Sequence, residues 1–235
     1  VPRRSAAEGT AEMRAGAARQ LPLELPHVVS FRRDDFLESR ANEAALALVE
    51  RWPDWPSYAA AITGPHGSGK SHLASIWAER AGARTMPARL LVREEVPRAL
   101  ATGALVIENL IPGEYDEPAL FHLFNLAKED GAALLFTSDR ALESGMASLP
   151  DLASRLRLVP AAKLDAPDDA LIAAVLVKLF ADRQIAVEQD LIAYLLPRME
   201  RSLGSARELV ARIDAAALAA GKPATRAFVS ALLRA

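Results

Sequence analysis

The chain has 235 residues, 51% of them hydrophobic and 25% charged, proportions that exclude a disordered chain and allow one large domain or two small ones. It contains no cysteine, which excludes disulfides and cysteine-ligated zinc or iron–sulfur centres and fits a cytoplasmic protein. The 28 Lys and Arg against 30 Asp and Glu leave a formal net charge of −2, without the basic excess by which a dedicated DNA-binding protein neutralises phosphates.

Residues 1–19 are small, polar and basic, lack the apolar core of a signal peptide, and are read as a disordered N-terminus. Val1–Ser5 resembles the remnant of a protease site, and Met13 is a candidate native start. No apolar run approaches the roughly 20 residues needed to span a bilayer, so no membrane association is expected. Ser39–Trp52 predicts a helix with apolar positions Ala44, Leu46, Leu48 and Val49. Tyr58–Thr63 is a short apolar run that stops at Gly64, the pattern of a buried strand. Lys70–Ala81 predicts a helix and Ala104–Ile107 a second buried strand. Glu117–Asp130 is helical, with Leu120, Leu123, Phe124 and Ala127 on its apolar face, and Ala132–Thr137 is a third strand. Strands alternating with helices predict an α/β fold with a parallel sheet.

The composition shifts near Pro160–Pro167, and everything beyond reads as helix. Asp168 and Asp169 can cap a helix running to about Asp182, with Leu171, Ile172, Val175, Leu176 and Leu179 as its stripe. Further helices are expected near Glu188–Arg198, Ser205–Ala219 and Thr225–Arg234, and Ser205 with Glu208 has capping-box spacing. The expected organisation is an α/β domain over 26–163 and a small all-helical domain over 164–235.

The segment from Gly64 to Ser71 reads GPHGSGKS and matches G-x-x-x-x-G-K-[ST]. Glycines let the backbone curl so that its N–H groups face phosphate oxygens, and the helix that follows presents the positive end of its dipole. Lys70 can reach the β- and γ-phosphates, and the Ser71 hydroxyl can ligate Mg²⁺. The candidate nucleotide-binding set is Gly64, Pro65, His66, Gly67, Ser68, Gly69, Lys70 and Ser71, with His72 beside it. No metal site is expected at His66 and His72, where local packing or solvent exposure is the simpler state. The strand at Leu105–Ile107 ends in Glu108 and Asn109. A phosphate-loop ATPase needs a carboxylate there to hold Mg²⁺, and usually a second acid to activate water. Glu108 can serve the metal, but Asn109 cannot take a proton. Slow self-hydrolysis is expected, with ADP or ATP as a structural or signalling ligand.

Several segments carry a family resemblance. They are GPHGSGKSHL at Gly64–Leu73, LVIENL at Leu105–Leu110, LLFTSDRAL at Leu134–Leu142, LPDLASRLRL at Leu149–Leu158 and GSARELVARID at Gly204–Asp214. From about Gln20 onward the chain resembles the DnaA/Hda family of AAA+ proteins, and within it the Hda-type regulatory inactivators of the initiator. The resemblance implies an AAA+ sheet followed by a helical lid. It puts Asp139 in the sensor I position and makes Arg207 the sensor II arginine that reaches bound nucleotide. Arg155 matches the arginine finger, which acts in trans on a nucleotide held by a neighbouring subunit; Arg157, two residues on, points elsewhere on a helix. Gln20, Leu21, Leu23 and Leu25, in the segment QLPLEL, resemble the motif that replication proteins insert into the DNA polymerase III β sliding clamp. Glu24 departs from that pattern. Asp35, Phe36 and Leu37 lie where the family wraps the base.

The partners so implied are the initiator DnaA and the sliding clamp, and a homodimer is a further candidate state. The chain ends at Ala235, where the family's lid ends, so sequence-specific origin binding is not expected. A second reading is an AAA+ loader or helper acting on a helicase or transposase, which Asn109 and the charge balance disfavour. A third is a non-catalytic module that uses nucleotide only to hold its two domains together.

Overall fold

The computed structural model describes residues 31–143 and 145–234. The N-terminal segment 1–19 and the clamp-type motif at Gln20, Leu21, Leu23 and Leu25 lie outside the described residues. Five parallel strands form one sheet: β1 (Ala59–Thr63), β2 (Arg84–Pro87), β3 (Ala104–Glu108), β4 (Ala133–Ser138) and β5 (Ala161–Lys163). Their order is β2-β3-β4-β1-β5, so β1 lies between β4 and β5. The flanking helices are α1 (Glu43–Arg51), α2 (Lys70–Ala81), α3 (Val96–Ala99), α4 (Glu117–Asp130) and α5 (Pro150–Arg157).

Both sheet faces are covered, and the strand period of two divides the core accordingly. Ala61, Leu105, Ile107, Leu134 and Phe136 pack on one face with Leu120, Leu123 and Phe124 of α4. Ala60, Ile62, Val106 and Leu135 pack on the other with Val49 of α1 and Leu73 and Trp77 of α2. A parallel strand buried on both faces reads as a continuous apolar run, which is why β1, β3 and β4 are visible in the sequence.

The edges of the sheet differ from expectation. β2 reads Arg-Thr-Met-Pro and β5 reads Ala-Ala-Lys, and neither is fully buried. Edge strands need no apolar run. β5 falls inside the Pro160–Pro167 segment where the sequence reads as turning helical, yet Ala161–Lys163 pairs with Ala61–Thr63.

From Asp169 onward the chain is helical: α6 (Asp169–Asp182), α7 (Gln189–Leu195), α8 (Leu203–Ala220) and α9 (Arg226–Leu232), around Ile172, Leu176, Phe180, Leu195, Val210 and Ile213. Asp168 caps α6 by accepting from Leu171 N at 2.7 Å. The expected helix to Arg198 tightens into a 3₁₀ turn at Leu196–Arg198, where Pro197 supplies no N–H. The capping box at Ser205 and Glu208 does not form. α8 starts earlier, with Ser202 accepting from Ser205 N at 3.0 Å, while the Ser205 hydroxyl turns to Ser202 and Glu200. Burial of Leu203 pulls it into the helix and leaves Ser202 as the extended cap. Among the described residues, no helix is long and apolar enough to cross a membrane.

Candidate nucleotide-binding site

The phosphate loop leaves the carboxyl end of β1, the end at which open α/β sheets hold ligands. Gly64 has φ 152°, and a Cβ there would lie 2.4 Å from the Leu164 carbonyl oxygen. Gly67 has φ 69°, and a Cβ would lie 2.6 Å from the Ser202 side chain. The loop is thus pressed between the end of β5 and the start of α8, and Leu203 N donates to Gly67 O at 2.8 Å. Gly69, at φ 108°, is the left-handed N-cap of α2.

Lys70 is buried and donates to the carbonyls of Gly64 at 2.7 Å and Pro65 at 2.9 Å. Burial pushes its ammonium below the usual lysine value, and Asp139 opposes that shift. Asp139, just past β4, therefore lies within electrostatic reach of Lys70, although it is exposed and pairs with Arg140 at 3.2 Å. The Ser68 hydroxyl is buried without a hydrogen-bond partner among the described residues. A curled loop that lacks room for side chains, an orphaned buried hydroxyl and the amino end of a twelve-residue helix together fit a nucleotide's phosphates. Pro65, His66 and Ser71 are exposed.

The end of β3 is fastened to β4. Asn109 adopts a left-handed φ of 56°, a conformation that Asn tolerates better than most residues. Its N–H donates to Thr137 Oγ1 at 3.0 Å, Leu110 N donates to Thr137 O at 2.8 Å, and Ser138 Oγ donates to Leu110 O at 2.9 Å. These bonds fix Glu108, which is half-buried, at the end of a strand separated from β1 by β4.

Beside the loop lies a cavity of about 310 Å³, walled by Asp35–Leu37, by Gly69 and His72 of α2, and by α6 and α8. Asp35–Leu37, which the resemblance associates with the base, thus lines a cavity next to the phosphate loop. Arg207 also faces this cavity. His72 is not exposed but packed: Phe31 and Phe36 meet its ring edge-on at 5.3 and 5.1 Å. Its Nε2 lies 3.1 Å from the Arg32 carbonyl, which can only accept, so the proton is assigned to Nε2. Nδ1 is then free to accept from Arg207 Nη2 over a long 3.5 Å. Burial holds the imidazole below its ordinary value, and the Arg207 and Lys178 charges add to that. Arg207 also lies 5.0 Å above the Phe31 ring, and burial lowers its own value. Across the cavity rim, Lys178 of α6 pairs with Asp35 at 2.7 Å and Asp182 at 2.8 Å.

Arg155 is not brought to this site. Its guanidinium stacks 4.5 Å above Phe121 and lines a separate cavity of about 260 Å³ with Tyr58, Phe124 and Lys128. Tyr58 immediately precedes β1 and Gly64 immediately follows it. Five strand residues span roughly 17 Å, so Arg155 and the phosphate loop occupy opposite ends of the sheet. The Arg155 Nη1 is buried with no hydrogen-bond partner among the described residues. Arg157 is exposed and donates to Ser154 Oγ at 3.2 Å.

Some site residues have no motif. Ser202, Leu203 and Leu164 shape the loop from far along the chain, and Lys178 closes the cavity rim. Only Ser202 carries a readable signal, a helix-capping serine just ahead of an apolar residue.

Comparison with known proteins places this geometry. No protein-family model matches the chain. It is 31% identical over 229 positions to the chromosomal replication initiator protein DnaA of Caulobacter sp. strain K31, covering 83% of this chain and 46% of that protein. The chain thus spans about half the length of that curated relative. Domain III of the Thermotoga maritima replication initiation protein DnaA superposes with a TM-score of 0.70 at 19% identity, covering 87% of this chain and 95% of that one. The fold is that of a DnaA-like AAA+ domain. The Thermotoga maritima RuvB branch migration motor shares it, with a TM-score of 0.69 at 17% identity over 87% of this chain and 72% of that one. So does AMPPCP-bound DnaA from Aquifex aeolicus, with a TM-score of 0.59 at 19% identity over 77% of this chain and 63% of that one. That nucleotide analogue belongs to the Aquifex protein.

Proposed function

We propose that this chain is a nucleotide-binding regulator of the initiation of DNA replication. In this reading Gly64–Ser71 holds ADP or ATP, Ser71 and Glu108 hold Mg²⁺, and Asp139, His72 and Arg207 complete the pocket. Gln20–Leu25 docks on the sliding clamp, and Arg155 acts on ATP held by the initiator DnaA. The α/β part over 26–163 and the helical lid over 164–235 act as the two domains. The observation that carries the reading is the separation of Arg155 from the chain's own phosphate loop by the length of β1. A guanidinium at that end of the sheet cannot reach a phosphoryl group at the other.

Hydrolysis of ATP requires water to attack the γ-phosphorus while the bond to the bridging oxygen breaks, leaving ADP and phosphate. Charge builds on the phosphoryl oxygens, and a rigid, permanent guanidinium stabilises it. Arg155 supplies that group to the partner's nucleotide. Asn109 supplies no base, so the nucleotide at this chain's own loop turns over slowly and serves as a ligand. Hydrolysis of DnaA-bound ATP, measured with and without this protein and DNA-loaded clamp, tests the reading. The native protein should accelerate it and Arg155→Ala should not. Acceleration that survives Arg155→Ala would remove the finger assignment. Replacing Gln20 and Leu21 with Ala should abolish co-elution with the clamp.

A further inference from the structure

Arg155 sits in α5, and what fixes α5 is the turn that opens α4. Three consecutive residues there act on three different targets. Tyr115 is buried, and its hydroxyl donates to the Met146 carbonyl. Asp116 caps α4 by accepting from Ala119 N at 2.9 Å. The Glu117 carboxylate accepts from Ser148 N at 2.8 Å, Ser148 Oγ at 2.9 Å and Leu149 N at 2.8 Å. Leu149 is the N-cap of α5 and has no side-chain cap of its own. Glu117 therefore pins the backbone just ahead of α5, accepting from the N-cap N–H as the Glu of a capping box does, and adds negative charge at the positive end of that helix. Burial works against the carboxylate, but its donors outweigh burial and hold it below the usual Glu value. Burial, with the Glu117 charge, pushes the Tyr115 hydroxyl up to about 12, so it remains a donor.

The segment between β4 and α5 is thus gripped at Met146 and again at Ser148–Leu149 by near neighbours on another element. Arg155 lies six residues beyond Leu149, roughly 9 Å along a helix. A helix is stiff over that length, so a tilt at Leu149 displaces the guanidinium.

We propose that Glu117, supported by Tyr115, is a positioning residue for Arg155: it sets the angle at which α5 presents the guanidinium to a nucleotide on another protein. The inference rests on the reading of Arg155 as the group that acts in trans. Glu117 acts only through α5 and touches no reacting atom.

Two measurements on the full chain test it. In hydrogen exchange, Glu117→Ala should speed exchange at Ser148, Leu149 and the first turn of α5 and leave α2 and β1 unchanged. In the stimulated hydrolysis of initiator-bound ATP, it should lower the maximal rate about tenfold with a half-saturating concentration changed less than about twofold, because a displacement of about 1 Å can cost up to a hundredfold. Glu117→Gln keeps one acceptor oxygen and should fall between; it also serves if the alanine variant does not fold. In an Arg155→Ala background, Glu117→Ala should add nothing. Unchanged exchange at 148–152, or a maximal rate equal to native while Arg155→Ala is inactive, overturns this inference alone. Stimulation that survives Arg155→Ala overturns the functional reading and this inference together.

Discussion

At the carboxyl end of the sheet, Lys70, His72 and Arg207 all find partners within the chain; at the amino end, Arg155 leaves one guanidinium nitrogen buried without a hydrogen-bond partner among the described residues. The first end is assembled from the whole sequence: the loop after β1, the turn at Asp35, and α8 more than a hundred residues on. The second is assembled from fewer elements: α4, α5 and Tyr58 just ahead of β1. An unsatisfied buried donor costs about 1–3 kcal/mol. The difference teaches where to look for a missing partner. Both ends keep one orphaned polar atom among the described residues, Ser68 Oγ inside the phosphate loop and Arg155 Nη1 on α5, so the chain's own ligand is sought at the first and a partner's at the second.

The largest expected effects break this comparison at either end. Arg155→Ala should cut stimulated hydrolysis of the partner's ATP by about 10³-fold or more while leaving nucleotide affinity unchanged. Lys70→Ala should do the reverse to the chain's own affinity, which titration with a fluorescent ADP analogue reads. Equal loss of both properties in either variant would mean that the two ends are one site.

Gly67→Ala comes next. It forces a side chain into a left-handed conformation, at about 1–2 kcal/mol, and places a methyl 2.6 Å from Ser202. Nucleotide binding should be lost with a lowered midpoint in urea, whereas Gly221→Ala, with open space around it, should show only the conformational cost.

Acid should weaken the contact between α2 and α8. The folded state holds His72 neutral, below its ordinary value of 6.5, while the unfolded chain takes up a proton near that value. The stability so contributed is fully present above about pH 6.5 and is lost as pH falls toward the depressed folded value. The groups facing the ring are the Arg32 carbonyl, Asp35, Lys178 and Arg207. Thermal midpoints at pH 7.5 and 5.5 should differ less in His72→Gln, which keeps a donor and an acceptor without the titration. An identical pH dependence in both proteins would show that His72 is not the sensitive group.

The smallest effect separates the two serines. Ser202→Ala should cost about 1 kcal/mol as the loss of a helix cap, and Ser205→Ala appreciably less. The reverse order would restore the capping box expected from the sequence.

The legible parts of the sequence are those in which one physical signal dominates. β1, β3 and β4 are buried on both faces and read as apolar runs, and α2 and α4 keep their expected bounds at Lys70–Ala81 and Glu117–Asp130. The phosphate loop is legible because its chemistry demands glycines and a lysine at set spacing. β2 and β5 are illegible because they sit at the sheet edges, where no burial pattern is imposed. The packing of Ser202 on Gly67 and the salt bridge from Lys178 to Asp35 join residues more than a hundred positions apart, and nothing local encodes them. The isolation of Arg155 from its own loop is a matter of strand direction, visible only once β1 is placed in the sheet.

The central claim is that this chain holds one nucleotide and promotes the hydrolysis of another. Loading the chain and the initiator DnaA with separately labelled ATP, and adding DNA-loaded clamp, tests it directly. The account predicts that phosphate is released from the initiator's nucleotide while the chain's own stays largely intact. Release from the chain's own nucleotide at about one per second or faster, in the range of ordinary enzymes, would contradict it.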